Sequence, residues 1–517
     1  MGPMKQRTAA GRPGLAPRHR ENHLVFADRP SGRHGRAVRS RAPMSTCCIT
    51  LLLALLIFAG CRTGDDYQRP EVQVPADWRF KAAEPRDHVP KGEWWRVFRD
   101  ARLDELQERA LAHNQDLRAA AARVEQARAV ARIDRAAFFP TLTSSPNYLR
   151  YSTSGNAPSP LGFPIESFTA AQWEVPFDLS YEVDLWGKVR RSFEAAQQLT
   201  LAAEAARQNV LLTLQADVAA NYFALVGVGA EMKALQQAID LRQEALDLFQ
   251  LRLEVGVGTE FEVERTRVEL ATATADLAAA RQRQAEIGNA LALLCGHAPA
   301  GFMVESADEL SAVPSIAPDL PASLLERRPD VAEAERQMAA RNAQIGVARA
   351  AFFPAIRLTA NGGFQSGELQ DLFSWDSKFW GVSPSISIPI LQGGRLKADL
   401  DQKRAAYDEA VASYRQHILI AFREVDDSLA AIRFLREQVA AREQAVAAAR
   451  KSVTLALDQY GAGTVSFLEV IDAESVRLQN DVARIRITTE QLNATVRLIK
   501  ALGGGWDETV AKNETRF

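Results

Sequence analysis

Cysteine, histidine and long apolar runs are all scarce in this chain, and proline is missing from two long stretches. Four cysteines occur in 517 residues, at 47, 48, 61 and 295. The first two fall in the N-terminal leader, and no disulfide framework or thiolate metal cluster can be built from the others. Seven histidines are present, and only His88, His113, His297 and His417 follow residue 61. They stand in unrelated contexts without metal-ligand or triad spacing, so no metal, no cofactor and no catalysis are expected. Gly503-Gly504-Gly505 follows a helical pattern instead of opening one, which argues against a phosphate loop. Glu424, Asp426 and Asp427 read as the solvated face of a helix, and Cys295 as a small buried apolar residue.

One apolar run stands out, residues 49–60, and its twelve residues suit a signal peptide while falling short of the roughly 20 that a spanning helix needs. No later run is expected to cross a membrane as a helix. Residues 1–43 are rich in Arg, Gly and Pro and cannot bury a core, so Met44 is the better start. The run ends Phe58-Ala59-Gly60-Cys61, which resembles a bacterial lipobox, with Phe58 where Leu is usual. Cys61 is then the residue expected to carry a covalent lipid, and Arg62 after it differs from the Asp associated with inner membrane retention. Cleavage before Cys61 would remove ten basic and two acidic residues and take the formal charge from -2 to -10. An acidic mature chain argues against nucleic acid as a partner.

What is abundant is self-similarity. Arg-Ala-Ala-Phe-Phe-Pro occurs at 135–140 and again at 349–354. Asp116-Leu117 answers Asp330-Val331, Trp186-Gly-Lys-Val-Arg190 answers Gly393-Gly-Arg-Leu-Lys397, and Gly256-Val-Gly-Thr259 answers Gly461-Ala-Gly-Thr464. Landmarks in one order at a slowly drifting offset define a duplicated unit. Each copy reads helix, strand pair, long helix, Gly-containing turn, helix.

Over 173–185 every odd position is apolar, while the even ones include Glu174, Asp178, Glu182 and Asp184. Such period-2 alternation is a strand with one apolar and one acidic face. Residues 380–390 and 356–365 alternate likewise, and 142–151 less cleanly. No proline occurs between Phe177 and Ala298 or after Ile390. Residues 188–254 and 395–459 therefore read as nearly unbroken helices, each about 95 to 100 Å long at 1.5 Å per residue. Helices of that length need neighbours to cover their apolar stripes.

Four amphipathic strands cannot close a membrane barrel alone, because single-chain barrels begin at about eight. Several chains would have to pool them, since open edges are not tolerated in lipid. A soluble sandwich whose apolar face is core satisfies the strand pattern equally well.

The segment 61–70, the Trp94-Trp95-Arg-Val-Phe98 stretch, Arg328-Pro-Asp330, the run 344–354 and Ala501-Leu-Gly-Gly-Gly-Trp506 together resemble the outer membrane factor lipoproteins, the TolC-like exit ducts of resistance-nodulation-division efflux systems. The resemblance covers residues 61–506. It implies a mainly α fold with membrane β-strands, in which a homotrimer of duplicated units forms a 12-stranded β-barrel continuous with a 12-helix α-barrel. It divides the chain into a leader (1–60), an anchored segment (61–102), repeats at 103–310 and 323–505, and a tail (506–517). The implied partners are outer membrane lipid, a periplasmic adaptor and an inner membrane transporter. The same resemblance makes Glu174, Asp178, Glu182 and Asp184 pore-lining. It makes the turns at Gly256, Gly258, Thr259 and at Gly461, Gly463, Thr464 the adaptor-docking tips, with Gly ending one helix and Thr capping the next. Leu468 and Asp472 match the family's constriction, and Ser475 replaces the Arg usual at its third position, which puts the family's closing ion pair in doubt. The alternatives are a type I secretion duct, which shares the fold, and a periplasmic coiled-coil adaptor without a pore.

Overall fold

The structure is a computed structural model that describes residues 63–71, 92–156, 167–304, 310–314 and 327–504. In the first repeat α1 (Ala101–His113) and α2 (Gln115–Ala136) lead into β1 (Thr141–Ser144), β2 (Asn147–Ser152) and β3 (Thr169–Val183), then α3 (Lys188–Glu254) and α4 (Glu260–Leu294). The second runs α5 (Pro329–Ala350), β4 (Ala355–Ser366), β5 (Lys378–Ser387), α6 (Arg395–Gly461) and α7 (Phe467–Ala501). Equivalent helices have equal lengths: 22 residues in α2 and α5, 67 in α3 and α6, 35 in α4 and α7. The duplication expected from four landmarks thus extends to whole elements. Two landmarks also meet in space, because the Trp186 ring stacks on Phe353 at 4.8 Å and its Nε1 donates to the Pro354 carbonyl.

The strands form one antiparallel sheet in the order β1-β3-β4-β5, with β2 also pairing β3. β1 and β2 keep a single register against β3, Ser144 opposite Phe177 and Asn147 opposite Glu174, so they are one strand interrupted at Ser145-Pro146. Proline there removes one donor from the ladder. The sheet therefore has four strands, with β3 and β4 joining the two repeats.

Among the described residues no continuous core runs the length of the helices, and three of the four apolar clusters are strung along α3 instead. The largest gathers Trp94, Phe98, Leu103, Tyr222, Phe223, Leu291, Leu492 and Val496. A second joins α5, α6 and α7 through Met338, Ile418, Val425 and Leu498, and two smaller ones sit around Leu277 and Phe249. One stretch of α3 is, against expectation, long and apolar enough to cross a membrane, but 61% of that window is buried inside the protein. Covered by α2, α4, α5 and α7, it is the packed seam of a helical assembly.

Midway along α3, Gly227 lets α7 approach so closely that a Cβ would stand 2.2 Å from the Thr489 hydroxyl. One turn on, Glu231 is buried and held by Arg486 at 2.5 Å and Arg283 at 2.7 Å, which ties α3, α7 and α4 together. Burial alone would raise its carboxyl, but the two guanidiniums outweigh it and hold Glu231 below its ordinary value of about 4.5. A depressed folded pKa contributes stability above the unfolded value, and that stability is lost as pH falls through the folded one. The wild type should therefore lose melting temperature more steeply than Glu231→Gln between pH 5 and 3. Parallel curves would count against this role.

Candidate channel wall, tips and gate

In an antiparallel pair, opposed residues share a face. The register accordingly gathers Leu142, Trp173, Val175, Phe177, Leu179, Tyr181, Val183, Ile356, Leu358, Phe364, Trp380, Val382 and Ile386 on one side of the sheet. Among the described residues no second layer covers it: Trp380 is 83% exposed, Leu142 66% and Ile386 66%. The sandwich reading needed this face to be core, and it is bare. On the opposite side Glu174, Asp178 and Glu182 of β3 stand beside Gln365, Asn361 and Arg357 of β4. Arg357 lies 3.8 Å from Glu182, which also receives Lys188 at 2.9 Å.

Asp184 does not join that acidic row. The strand stops at Val183, and the Asp184 carboxylate turns back to accept the Val189 and Arg190 amides and to pair with the Arg190 guanidinium at 3.1 Å. A carboxylate at a helix N-terminus satisfies otherwise orphaned donors and faces the positive end of the dipole. Asp184 is thus the start signal of α3. On β5 the strand similarly ends at Ser387, short of Ile388 and Ile390.

Both tip turns end their helices alike. Gly256 and Gly463 take φ of 78° and 70°, and the next amides, of Val257 and Thr464, reach back to the Arg252 and Gln459 carbonyls. The second halves differ. Thr259 caps α4 in a full capping box with Glu262. Thr464 instead donates its hydroxyl to the Gln459 carbonyl, and α7 begins at Phe467, after Ser466, whose side chain makes no capping bond. Gly258 lies against the α3 terminus, a Cβ there falling 2.8 Å from the Leu253 nitrogen, while Gly461 closes α6 in open space. Around the first tip Leu251, Val255, Val257 and Phe261 are exposed by 57 to 66%.

At the start of α7, Leu468 is half-buried and Asp472, one turn on, is exposed. Asp472 is ion-paired with Arg265 of α4 at 3.2 Å. Ser475 is half-buried between helices: its hydroxyl accepts from Arg242 of α3 at 3.0 Å and donates to Glu269 of α4 at 3.3 Å. Arg242 and Glu269 are themselves paired at 3.4 Å. Arg242 of α3 and Arg265 of α4 thus stand beside Ser475 and Asp472 where the sequence has no cation on α7 itself at position 475.

One polar site went unnoticed in the sequence. Arg191 is 1% exposed and donates to the carbonyls of Thr63, Gly64 and Asp65 and to the carboxylates of Asp66 and Glu194. Asn342 and Arg349 of α5 hold Asp65, and Arg69 reaches Glu335 and Tyr414. The chain directly after residue 62 is thereby strapped across both repeats at the junction of sheet and helices. The available signal was a charge on the buried stripe of α3, one turn before Ala195, where only a built partner set makes an arginine tolerable. Cys61 and His88 lie outside the described residues. Cys295 is wholly buried, which pushes its thiol up to about 11. Glu424 pairs with Arg328, which also holds Asp330 and the Ala501 carbonyl.

The outer membrane efflux protein family profile matches residues 106–297 and 320–504. The chain is 36% identical over 464 residues to the solvent efflux pump outer membrane protein SrpC of Pseudomonas putida, a match spanning 88% of this chain and 97% of that one. Among solved structures it superposes on the outer-membrane channel OprN with a TM-score of 0.80 at 30% identity, covering 86% of this chain and all of OprN. The CmeC outer membrane channel of Campylobacter jejuni gives 0.82 at 26% identity, over 88% of this chain and 98% of that one. With the profile matching most of both repeats, and the bare apolar sheet face joined to long helices in the fold of these channels, the chain belongs to the outer membrane efflux protein family.

Proposed function

We propose that this chain is one subunit of a trimeric outer membrane duct, the passive exit channel of a tripartite efflux pump for small molecules, and that it performs no catalysis. The observation that carries this reading is the sheet, whose apolar face is uncovered while β1/β2 and β5 leave an edge unpaired on either side. Three copies would close those edges into twelve strands, the arrangement that lipid demands. The polar face, with Glu174, Asp178 and Glu182, would then line water. The relatives point to small molecules, SrpC being a solvent efflux pump component by name. A type I secretion duct remains the rival within the fold.

The periplasmic adaptor docks at the two tips, around Gly256, Gly258, Thr259 and Gly461, Gly463, Thr464. Exposed apolar side chains at the first tip give a partner something to bury. Photo-crosslinkers at Thr259 and Thr464 should capture the adaptor in cells that also contain the inner membrane transporter. Purified protein should run as a heat-resistant trimer and conduct in planar bilayers. Monomers without conductance would sink the channel reading, and a silent crosslinker beside a positive control on the adaptor would move the docking site.

Cys61 anchors the mature chain to the inner leaflet of the outer membrane. The strap held by Arg191 supports this, because it brings the chain to the sheet–helix junction by Thr63, two residues after the cysteine. Palmitate should label the wild type and leave Cys61→Ser unlabelled, and equal labelling would refute the anchor.

A further inference from the structure

The lipid-facing side of the sheet carries two charged residues among its described strand positions, Arg150 and Lys378, and no acid. The opposite face holds Glu174, Asp178, Glu182 and Arg357, so the absence of acids belongs to one face alone. Both cations stand at the end of the sheet remote from the helices. Arg150 is opposite Ala171, two residues before Trp173, and Lys378 is the first residue of β5, opposite Phe364. Neither forms an ion pair with a carboxylate among the described residues, whereas Arg357 on the other face lies beside Glu182.

The surroundings of the two are aromatic. Tyr148, beside Arg150 on the same face, lies 4.3 Å from Trp173 by ring centres. The Lys378 ammonium sits over the Trp375 ring, Phe373 packs on Phe364, and Trp375 and Trp380 are 80% and 83% exposed. Rings of this kind mark the level of the headgroups on a membrane barrel. From Val183, at the helical end, to Trp173 is about 33 Å of strand, or about 25 Å of depth at the usual tilt, which is the height of a barrel's apolar band. Arg150 and Lys378 thus flank the outer headgroup level, where an unpaired cation backed by aromatic rings meets the phosphates of anionic lipid.

We infer that this rim is a binding site for the phosphate groups of a glycolipid in the outer leaflet. Arg150 and Lys378 contact phosphate, and Tyr148, Trp173, Trp375 and Trp380 pack on the sugar and acyl junction. The inference rests on the outer membrane placement proposed above and adds the ligand class. In an assembled barrel β5 of one subunit would adjoin β1/β2 of the next, so the site would span the seam between subunits.

The test titrates purified wild-type trimer in detergent with bis-phosphorylated lipid A, with the same lipid stripped of phosphate, and with inorganic phosphate as competitor. The readouts are tryptophan fluorescence and native mass spectrometry. The wild type should bind the phosphorylated lipid at least tenfold more tightly than the stripped one. Arg150→Gln/Lys378→Gln should lose that preference, and Arg150→Lys/Lys378→Arg should keep it. Equal affinity for the two lipids, or a Gln double variant that binds like the wild type, would overturn the site. Displacement by inorganic phosphate alone would make it a free-anion site and equally overturn the lipid assignment. Should the double variant fail to assemble, Lys378→Gln and Arg150→Gln are read singly, each expected to lose part of the preference. Conductance of the wild type, measured separately, tells failure of the channel reading from failure of this one.

Discussion

Leu179→Arg should abolish heat-resistant assembly, while Asp178→Arg, one residue away, should leave it intact. The two side chains leave opposite faces of β3, Leu179 beside Leu142 and Ala360, Asp178 beside Thr143 and Asn361. Leu179 lies four residues from the helical end of β3 and six from Trp173, near the middle of the apolar band. An arginine facing lipid at that depth costs roughly 2 to 4 kcal/mol in each subunit, and a trimer would bear it three times. An arginine at Asp178 would, on the proposed reading, face water, and it would share its face with the acids Glu174 and Glu182. Gel migration without boiling, with outer membrane fractionation, reads the difference. If both variants assembled equally, the faces would be wrongly assigned.

Much of this was legible in the sequence because a repeat states its own boundaries. The Arg-Ala-Ala-Phe-Phe-Pro and Gly-x-Gly-Thr landmarks fixed the order of elements, and proline-free stretches gave the long helices to within two residues: α6 ends at Gly461, against an expected 459. Period-2 alternation found β3 but overran it, since Asp184 continues the pattern by chance while its carboxylate serves α3. Alternation cannot tell a strand's last residue from the cap that follows. The tips mislead in a related way. Thr259 and Thr464 occupy matching landmarks, yet only the first has an acid three residues on, Glu262. In the second copy the Ser-x-x-Glu spacing falls at Ser466 and Glu469, just before α7 begins at Phe467, yet the Ser466 side chain makes no capping bond there. Arg191, Arg242 and Arg265 escaped because the partners that tie them to other segments lie far off in sequence, 207 residues away for Arg265 and Asp472. Long-range ion pairs leave no local pattern to read.

That last network bears on the gate expected at Leu468 and Asp472. We expect Leu468→Ala and Asp472→Ala each to loosen the closed duct, raising closed-state conductance and sensitising cells to large antibiotics otherwise excluded. Leucines repeated around an axis would close it by dewetting, which a methyl-sized side chain does poorly. Asp472 would act through Arg265, an exposed pair worth about 0.2 to 1 kcal/mol. Repeated in three subunits that sums to roughly 0.6 to 3 kcal/mol, or about threefold to a hundredfold in the open-to-closed ratio at 1.4 kcal/mol per tenfold. If the pair is the hold, Arg265→Ala should match Asp472→Ala, and the double variant should add little to either, as coupled residues do. Arg242 should matter more, because its side chain is 11% exposed and its removal leaves Glu269 and Ser475 facing each other without the guanidinium that joins them. Ser475→Ala keeps both charges and should be the mildest of the set. Wild-type conductance and antibiotic entry in Leu468→Ala/Asp472→Ala, with normal trimer levels, would place the constriction elsewhere on the chain. Strictly additive effects of Arg265→Ala and Asp472→Ala would leave the gate in place but dissolve the pair as its hold.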